Sequence, residues 1–198
     1  MPLFKTKDPT IPPGQSLTAG FPVLHVGDVP RFDPATWRLR FFGICENAFA
    51  LSLEELRSEP MVEWRGDIHC VTRWSKKGTL WRGVPFNRLA ARAKPLAEVT
   101  HVIQHAKNDY QTNLPLEAMM GDDVLVALEY DGEELEPIHG GPVRMFVPKL
   151  YLWKSAKWID GIEFLDRDRQ GFWEKRGYHN EGDPWKEQRY AGLPSWFG

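Results

Sequence analysis

The chain has 198 residues, 42% of them hydrophobic and 26% charged, with a formal net charge of −2. That length suits one domain, or one domain with an extension, and the near-neutral charge without a basic run excludes a general nucleic-acid or membrane-surface role. No apolar stretch approaches the ~18–20 residues of a membrane span, and Lys5, Lys7, Asp8 and several prolines interrupt any signal-peptide core, so the expectation is a cytoplasmic protein.

Gly 17 and Pro 16 favour turns and short strands over long helices. Residues 1–20 read as an irregular N-terminal arm, because Pro9, Pro12, Pro13 and Gly14 oppose regular structure. Phe21–His25 is a short strand candidate, followed by a loop over Val29–Pro34 and an aromatic strand over Trp37–Phe42. Ser52 with Glu55 forms a capping box, predicting a short helix to about Arg57. Met61–Val71 reads as a strand, and Gly78 breaks the chain between Trp74 and Trp81. Asn87–Ala93 predicts a second helix, stopped by Pro95. Strands follow at Val99–His105, at Val124–Tyr130 before an Asp131-Gly132 turn, at Val143–Val147 and at Ile162–Leu165. The class is α+β: mixed short strands with few helices.

Residues 21–170 form the body in this reading, and residues 171–198 an aromatic C-terminal extension. The latter holds Phe172, Trp173, Tyr178, Trp185, Tyr190, Trp196 and Phe197. So many exposed rings would leave large apolar patches. The segment is expected to pack on the body, or on a second subunit in a homo-oligomer, and to help wall a site.

Cys45 and Cys70 are not expected to pair in a reducing compartment. Cys45 sits among Phe41, Phe42, Gly43 and Ile44 and reads as core. Cys70 lies in Ile68-His69-Cys70-Val71-Thr72-Arg73-Trp74-Ser75, where His69 and Arg73 would favour a thiolate, a soft metal donor; a buried small hydrophobe is the plain alternative. A second island runs from His139-Gly140-Gly141-Pro142-Val143-Arg144 to Lys154-Ser155-Ala156-Lys157-Trp158. There the glycines allow close approach of a bulky ligand, Arg144 offers a planar fork, Lys157 a point charge, and Ser155 with neighbouring N–H groups an anion nest; a loop with solvated charges is the alternative. A third island, Phe21–Pro30, says only that a strand ends in a turn.

The order of these islands resembles the molybdopterin-binding domain shared by sulfite oxidases, plant nitrate reductases and bacterial methionine-sulfoxide reductase catalytic subunits. The cysteine island with Trp81-Arg82-Gly83-Val84 is similar to the segment carrying the metal-ligating cysteine, and His139–Trp158 to the second cofactor segment. The likeness covers about residues 20–170. It implies a sulfite-oxidase-like molybdopterin-binding fold, with molybdenum and molybdopterin as cofactor. Cys70 would ligate the metal, and Arg73 would attract substrate. His25, Asp28, His105, His139, Arg144, Ser155, Ala156 and Lys157 would contact the cofactor. It also implies oxygen-atom transfer to or from a small sulfite- or sulfoxide-like substrate, with electrons exchanged with a separate partner. The arginine-rich sulfite pocket is not identifiable; Arg73 and Arg82 are the nearest basic residues. Three rival readings stay open: a cofactor-binding protein without turnover, a Cys70 nucleophile, and a zinc site from Cys70, His101 and His105.

Overall fold

The computed structural model describes residues 8–192; Trp196 and Phe197 of the aromatic extension lie outside them. In chain order the elements are β1 (Ser16–Leu17), β2 (Leu39–Gly43), β3 (Phe49–Leu51), α1 (Leu53–Ser58), β4 (Val62–His69), β5 (Trp74–Pro85) and α2 (Phe86–Ala93). There follow β6 (His101–Ala106), β7 (Gln111–Pro115), α3 (Leu116–Met119), β8 (Leu125–Tyr130), β9 (Glu133–Glu134), β10 (Arg144–Phe146) and β11 (Ile159–Leu165). They form a six-stranded sheet in the order β1-β5-β8-β10, with β4 on β5 and β9 on β8, and a five-stranded sheet in the order β3-β2-β11-β6-β7.

The largest core cluster draws Leu39, Phe41, Ile162 and Phe164 from the five-stranded sheet and Val84, Val126 and Met145 from the other. Phe86, Leu89, Ala90 and Ala93 of α2 are buried too. In α1 the capping box forms as its sequence indicates. The Ser52 hydroxyl accepts from the Glu55 amide at 3.2 Å, and the Glu55 carboxylate accepts from the Ser52 amide at 2.7 Å. Asp131 and Gly132, with φ of 50° and 88°, turn β8 into β9.

Several expectations need correction. The arm is not wholly irregular: Ser16 and Leu17 pair in parallel with Trp74 and Ser75. Phe21–His25 is not a strand; Pro22 has no N–H to give a ladder, and Phe21 instead stacks on His139 at 4.1 Å. Gly78 does not end the strand. It takes a φ of 67° and β5 continues, its amide donating to Asp67 at 3.0 Å. β7 was not legible, because its sequence Gln-Thr-Asn-Leu-Pro looks polar although Thr112 and Asn113 are fully buried.

Their partners explain this. The Lys154 ammonium donates to the Asn113 carbonyl at 2.8 Å and meets the Glu174 carboxylate at 2.6 Å, with both charged side chains completely buried. Glu174 also accepts from Trp153 Nε1 at 2.9 Å and from Thr112 at 3.2 Å. The segment after Gly171 is thereby pinned to the body. Trp185 and Tyr190 are the rings of this segment that stay about half exposed.

Removing one partner of a buried ion pair leaves the other uncompensated, at a cost of about 3–5 kcal/mol. Glu174→Ala is therefore expected to lower the denaturant midpoint strongly, whereas Glu181→Ala, at an exposed position of the same segment, should change it little. Equal midpoints for both variants would show that the pair does not anchor the segment.

Candidate active site

A cavity of about 340 Å³ opens where the two chain-end segments meet the body. One wall is the turn from Cys70 to Trp74; another is the loop Phe21–Val26. Asn108 and Tyr110 come from the β6–β7 turn, Arg144, Ser155, Lys157 and Trp158 from around β10 (Ala156 is outside the lining), and Trp173 and Tyr178 from the C-terminal segment. Asn108 ties two walls together, its amide donating to the Val26 carbonyl at 2.8 Å.

Cys70 is not within a strand. It opens the turn joining β4 to β5, which is closed by Arg73 N–H to the Cys70 carbonyl at 3.1 Å and Cys70 N–H to the Trp74 carbonyl at 2.9 Å. Its sulfur lines the cavity and accepts a hydrogen bond from the Thr72 hydroxyl at 3.1 Å. Burial pushes the thiol pKa up, with smaller opposing help from Thr72, Val71 and Arg189. The expected cationic helpers are absent from this role. Arg73, with φ 73°, points outward to Glu187 at 3.8 Å with its side chain 63% exposed. His69 binds the Ser75 hydroxyl at 2.8 Å, and burial lowers its pKa. A thiolate here would come from metal binding, since a coordinating thiol is deprotonated outright.

The opposite side of the cavity is cationic. Arg144 is 1% exposed, yet among the described residues it meets no carboxylate. Its guanidinium donates to the carbonyls of His139 at 2.7 Å and Ser155 at 3.2 Å and lies 5.3 Å over the Trp81 ring. Burial lowers its pKa to about 10. Lys157, half-buried, donates to the Ile138 carbonyl at 2.9 Å; burial, then Arg144, lowers its pKa to about 7. His139 lies under Phe21 and is held neutral by burial and then by Lys157 and Arg144, with its Nδ1 buried and unpartnered. The Trp74 indole N–H, on a cavity-lining ring, is likewise unpartnered. His139 lies outside the cavity lining, so the groups that face a ligand are the thiol, two cations without counterions and the Trp74 ring; they fit a large, hydrogen-bonding, anionic heterocycle that carries a metal.

Other expected residues fall elsewhere. His25 lines the cavity, its Nδ1 bonded to the Gly27 carbonyl at 2.8 Å, but Asp28 is exposed and outside the lining. His105 lies on the five-stranded sheet, paired with Glu163 at 2.8 Å and Gln111 at 3.1 Å, away from the cavity. The N–H groups of Ser155 and Ala156 cannot form an anion nest: they already donate to the Leu152 carbonyl at 3.1 Å and the Gln104 side chain at 2.9 Å. Gly141 serves protein packing, since a Cβ there would fall 1.8 Å from the Leu135 carbonyl oxygen. No group of three or more His, Cys, Asp or Glu side chains among the described residues could hold a metal, which removes the zinc reading. Among the described residues no histidine is hydrogen-bonded to Cys70: its sulfur accepts from Thr72, and His69 is bonded to Ser75. The sequence does not single out Thr72, Asn108, Tyr110 or Trp153, whereas Trp173 and Tyr178 belong to the aromatic segment expected to help wall the site. These come from turns and irregular segments without a motif.

The model of the oxidoreductase molybdopterin binding domain matches residues 26–173. An uncharacterized oxidoreductase of Bacillus subtilis, YuiH, is 44% identical over 182 residues, covering 91% of this chain and 92% of its own. A putative protein-methionine-sulfoxide reductase subunit of Azospira oryzae is 28% identical, with 84% of this chain and 64% of that protein covered. The protein-methionine-sulfoxide reductase catalytic subunit of Gluconobacter oxydans is 29% identical, with 84% and 63% covered, so this chain spans just under two thirds of these two relatives. Among solved structures, the sulfane dehydrogenase SoxCD of Paracoccus pantotrophus shares the fold with a TM-score of 0.69 at 20% identity, over 78% of this chain and 44% of that one. With the fold, the cavity and these matches in agreement, the chain belongs to the molybdopterin-binding oxidoreductase family and is an enzyme that takes molybdopterin with molybdenum as its cofactor.

Proposed function

We propose that this enzyme reduces a neutral oxide, a sulfoxide in the first instance, by oxygen-atom transfer, using electrons from a separate redox partner. One observation carries the choice of substrate: the two arginines tied to the Cys70 turn, Arg73 and Arg189, are spent on the protein, which leaves Arg144 and Lys157 as the cavity's free cations, and the cofactor would take these. Arg73 pairs with Glu187, and Arg189 donates to the carbonyls of Val71 at 2.6 Å and Pro13 at 3.1 Å. What surrounds the sulfur is Val71, Thr72, Trp153, Trp173 and Tyr178. A dianion such as sulfite would lose its hydration there without a counterion, whereas a dipolar oxide with an apolar substituent would bury the latter against the rings. The relatives named as methionine-sulfoxide reductase subunits support this reading.

When bound, the molybdenum cofactor supplies oxygen-atom transfer coupled to a change in the metal's oxidation state. The chain's contribution is position, charge and dryness. Cys70 donates its sulfur to the metal, steadied by the Thr72 hydroxyl. Arg144 and Lys157 would hold anionic and hydrogen-bonding parts of the pterin, with Trp74 Nε1 as a further polar group. Trp173 and Tyr178 form an aromatic wall of the cavity.

With a reduced viologen dye as electron donor, methyl sulfoxides are expected to be reduced, whereas with ferricyanide as electron acceptor sulfite should be oxidised poorly. Cys70→Ser should abolish turnover with the fold intact, and Cys45→Ser, at a position packed on the main core, should retain it. Equal loss in both variants, or faster sulfite oxidation than sulfoxide reduction, would contradict the proposal.

The Lys157 pKa gives a pH test on the cofactor-free chain. Its folded value of about 7 lies below the unfolded ~10.4, so the unfolded state binds more protons between these values. Lys157 therefore adds stability as pH rises through that window and withdraws it as pH falls toward about 7. Lys157→Met is expected to gain on wild type at neutral pH and lose that advantage in alkali, measured by urea unfolding. A stability difference that does not vary with pH would show that Lys157 is well solvated and not waiting for an anion.

A further inference from the structure

Both chain ends converge on the turn that presents Cys70. From the arm, the Gln15 side-chain amide donates to the Cys70 carbonyl at 3.1 Å, and the Ser16 amide donates to the Arg73 carbonyl at 2.9 Å. From the C-terminal segment comes Arg189, 4% exposed. Its guanidinium bridges the Val71 carbonyl at 2.6 Å and the Pro13 carbonyl at 3.1 Å, and lies 5.0 Å over the Tyr151 ring. Its acidic contact is Glu187, at 3.4 Å on the Arg189 Nε. Gly14 leaves room for this arrangement: a Cβ there would fall 2.5 Å from Glu187 and 3.2 Å from the Arg189 guanidinium.

We propose that Arg189 is a positioning residue for the metal ligand: it clasps the arm and the Cys70–Arg73 turn together and so fixes where the Cys70 sulfur stands. The proposal rests on the reading of Cys70 as the molybdenum ligand. Its physical basis is geometric. The carbonyl at Val71 is adjacent to Cys70, and the turn has a non-glycine residue, Arg73, at a φ of 73°. A non-glycine residue in that region persists only where the surroundings hold it. A planar fork reaches both carbonyls at once, which a lysine ammonium does not reproduce. Arg189 is not itself a lining residue and makes no hydrogen bond to the sulfur; it holds the lining residue Val71 by its carbonyl, so its positional effect passes through the turn.

The test uses the full chain with Arg189→Ala, Arg189→Lys and Gln15→Ala. In cofactor-free protein, amide exchange of Cys70 and Arg73 is expected to rise about tenfold in Arg189→Ala, the scale of one charge-assisted hydrogen bond lost. It should stay elevated in Arg189→Lys and rise less in Gln15→Ala, while exchange in β6 and β11 is unchanged. In the loaded enzyme, Arg189→Ala should keep its molybdenum but shift the thiolate-to-metal absorption band. Unchanged exchange in both Arg189 variants would overturn the proposal, as would a uniform rise across the chain, the mark of general destabilisation. Gln15→Ala keeps the proposal testable if Arg189→Ala does not fold: no rise at Cys70 and Arg73 would then count against it. Molybdenum missing from wild type made in a cofactor-producing host would instead remove the ligand reading, with the exchange data still deciding the clasp.

Discussion

The uncompensated charge of Arg144 governs this structure. A guanidinium 1% exposed and without a carboxylate is costly unless something else meets it. Its three carbonyl partners, on His139, Met145 and Ser155, satisfy N–H groups but leave the net charge. Burial, and then that charge, lowers the pKa of Lys157 beside it; burial, then Lys157 and Arg144, lowers that of His139. The cavity wall thus presents cations that an anionic cofactor can compensate, so the cost of keeping these groups from water is offset when it binds.

The contrast with Lys154 is instructive. Three residues from Lys157 in sequence, Lys154 is fully buried but paired with Glu174, and so is structural. One short segment thus carries a cation that fastens the C-terminal stretch and another left free for a ligand. The first makes the second useful, because anchoring Glu174 brings Trp173 and Tyr178 over the cavity. Each ring there replaces water that would screen the attraction between Arg144, Lys157 and an anion.

Legibility in the sequence followed locality. The capping box of α1, the apolar face of α2 and the Asp131-Gly132 turn depend on neighbours a few residues apart, and each formed where its residues indicated. β7 is hidden because its buried polar side chains find partners far along the chain: Asn113 donates to Asp168 and Asn180, 55 and 67 positions away, and Thr112 to Glu174, 62 positions away. Within the site, Cys70, Arg144 and Lys157 stood out because motifs surround them. His105 was placed wrongly, since no motif fixed its register and its partner Glu163 lies on another strand. Arg73 was misjudged for a different reason: adjacency along the chain suggested adjacency in space, but its turn conformation sends the side chain outward to Glu187. The anion nest at Ser155 and Ala156 failed because their N–H groups were already engaged by Leu152 and Gln104.

The central claim is that Arg144 and Lys157 are kept without counterions in order to hold the cofactor beside Cys70. Its most direct test is the pterin and molybdenum content of the Arg144→Met, Lys157→Met double variant, purified from a cofactor-producing host and compared with wild type. The account predicts a folded chain that has lost most of both, against stoichiometric loading in wild type. Full pterin and metal in the double variant would contradict it.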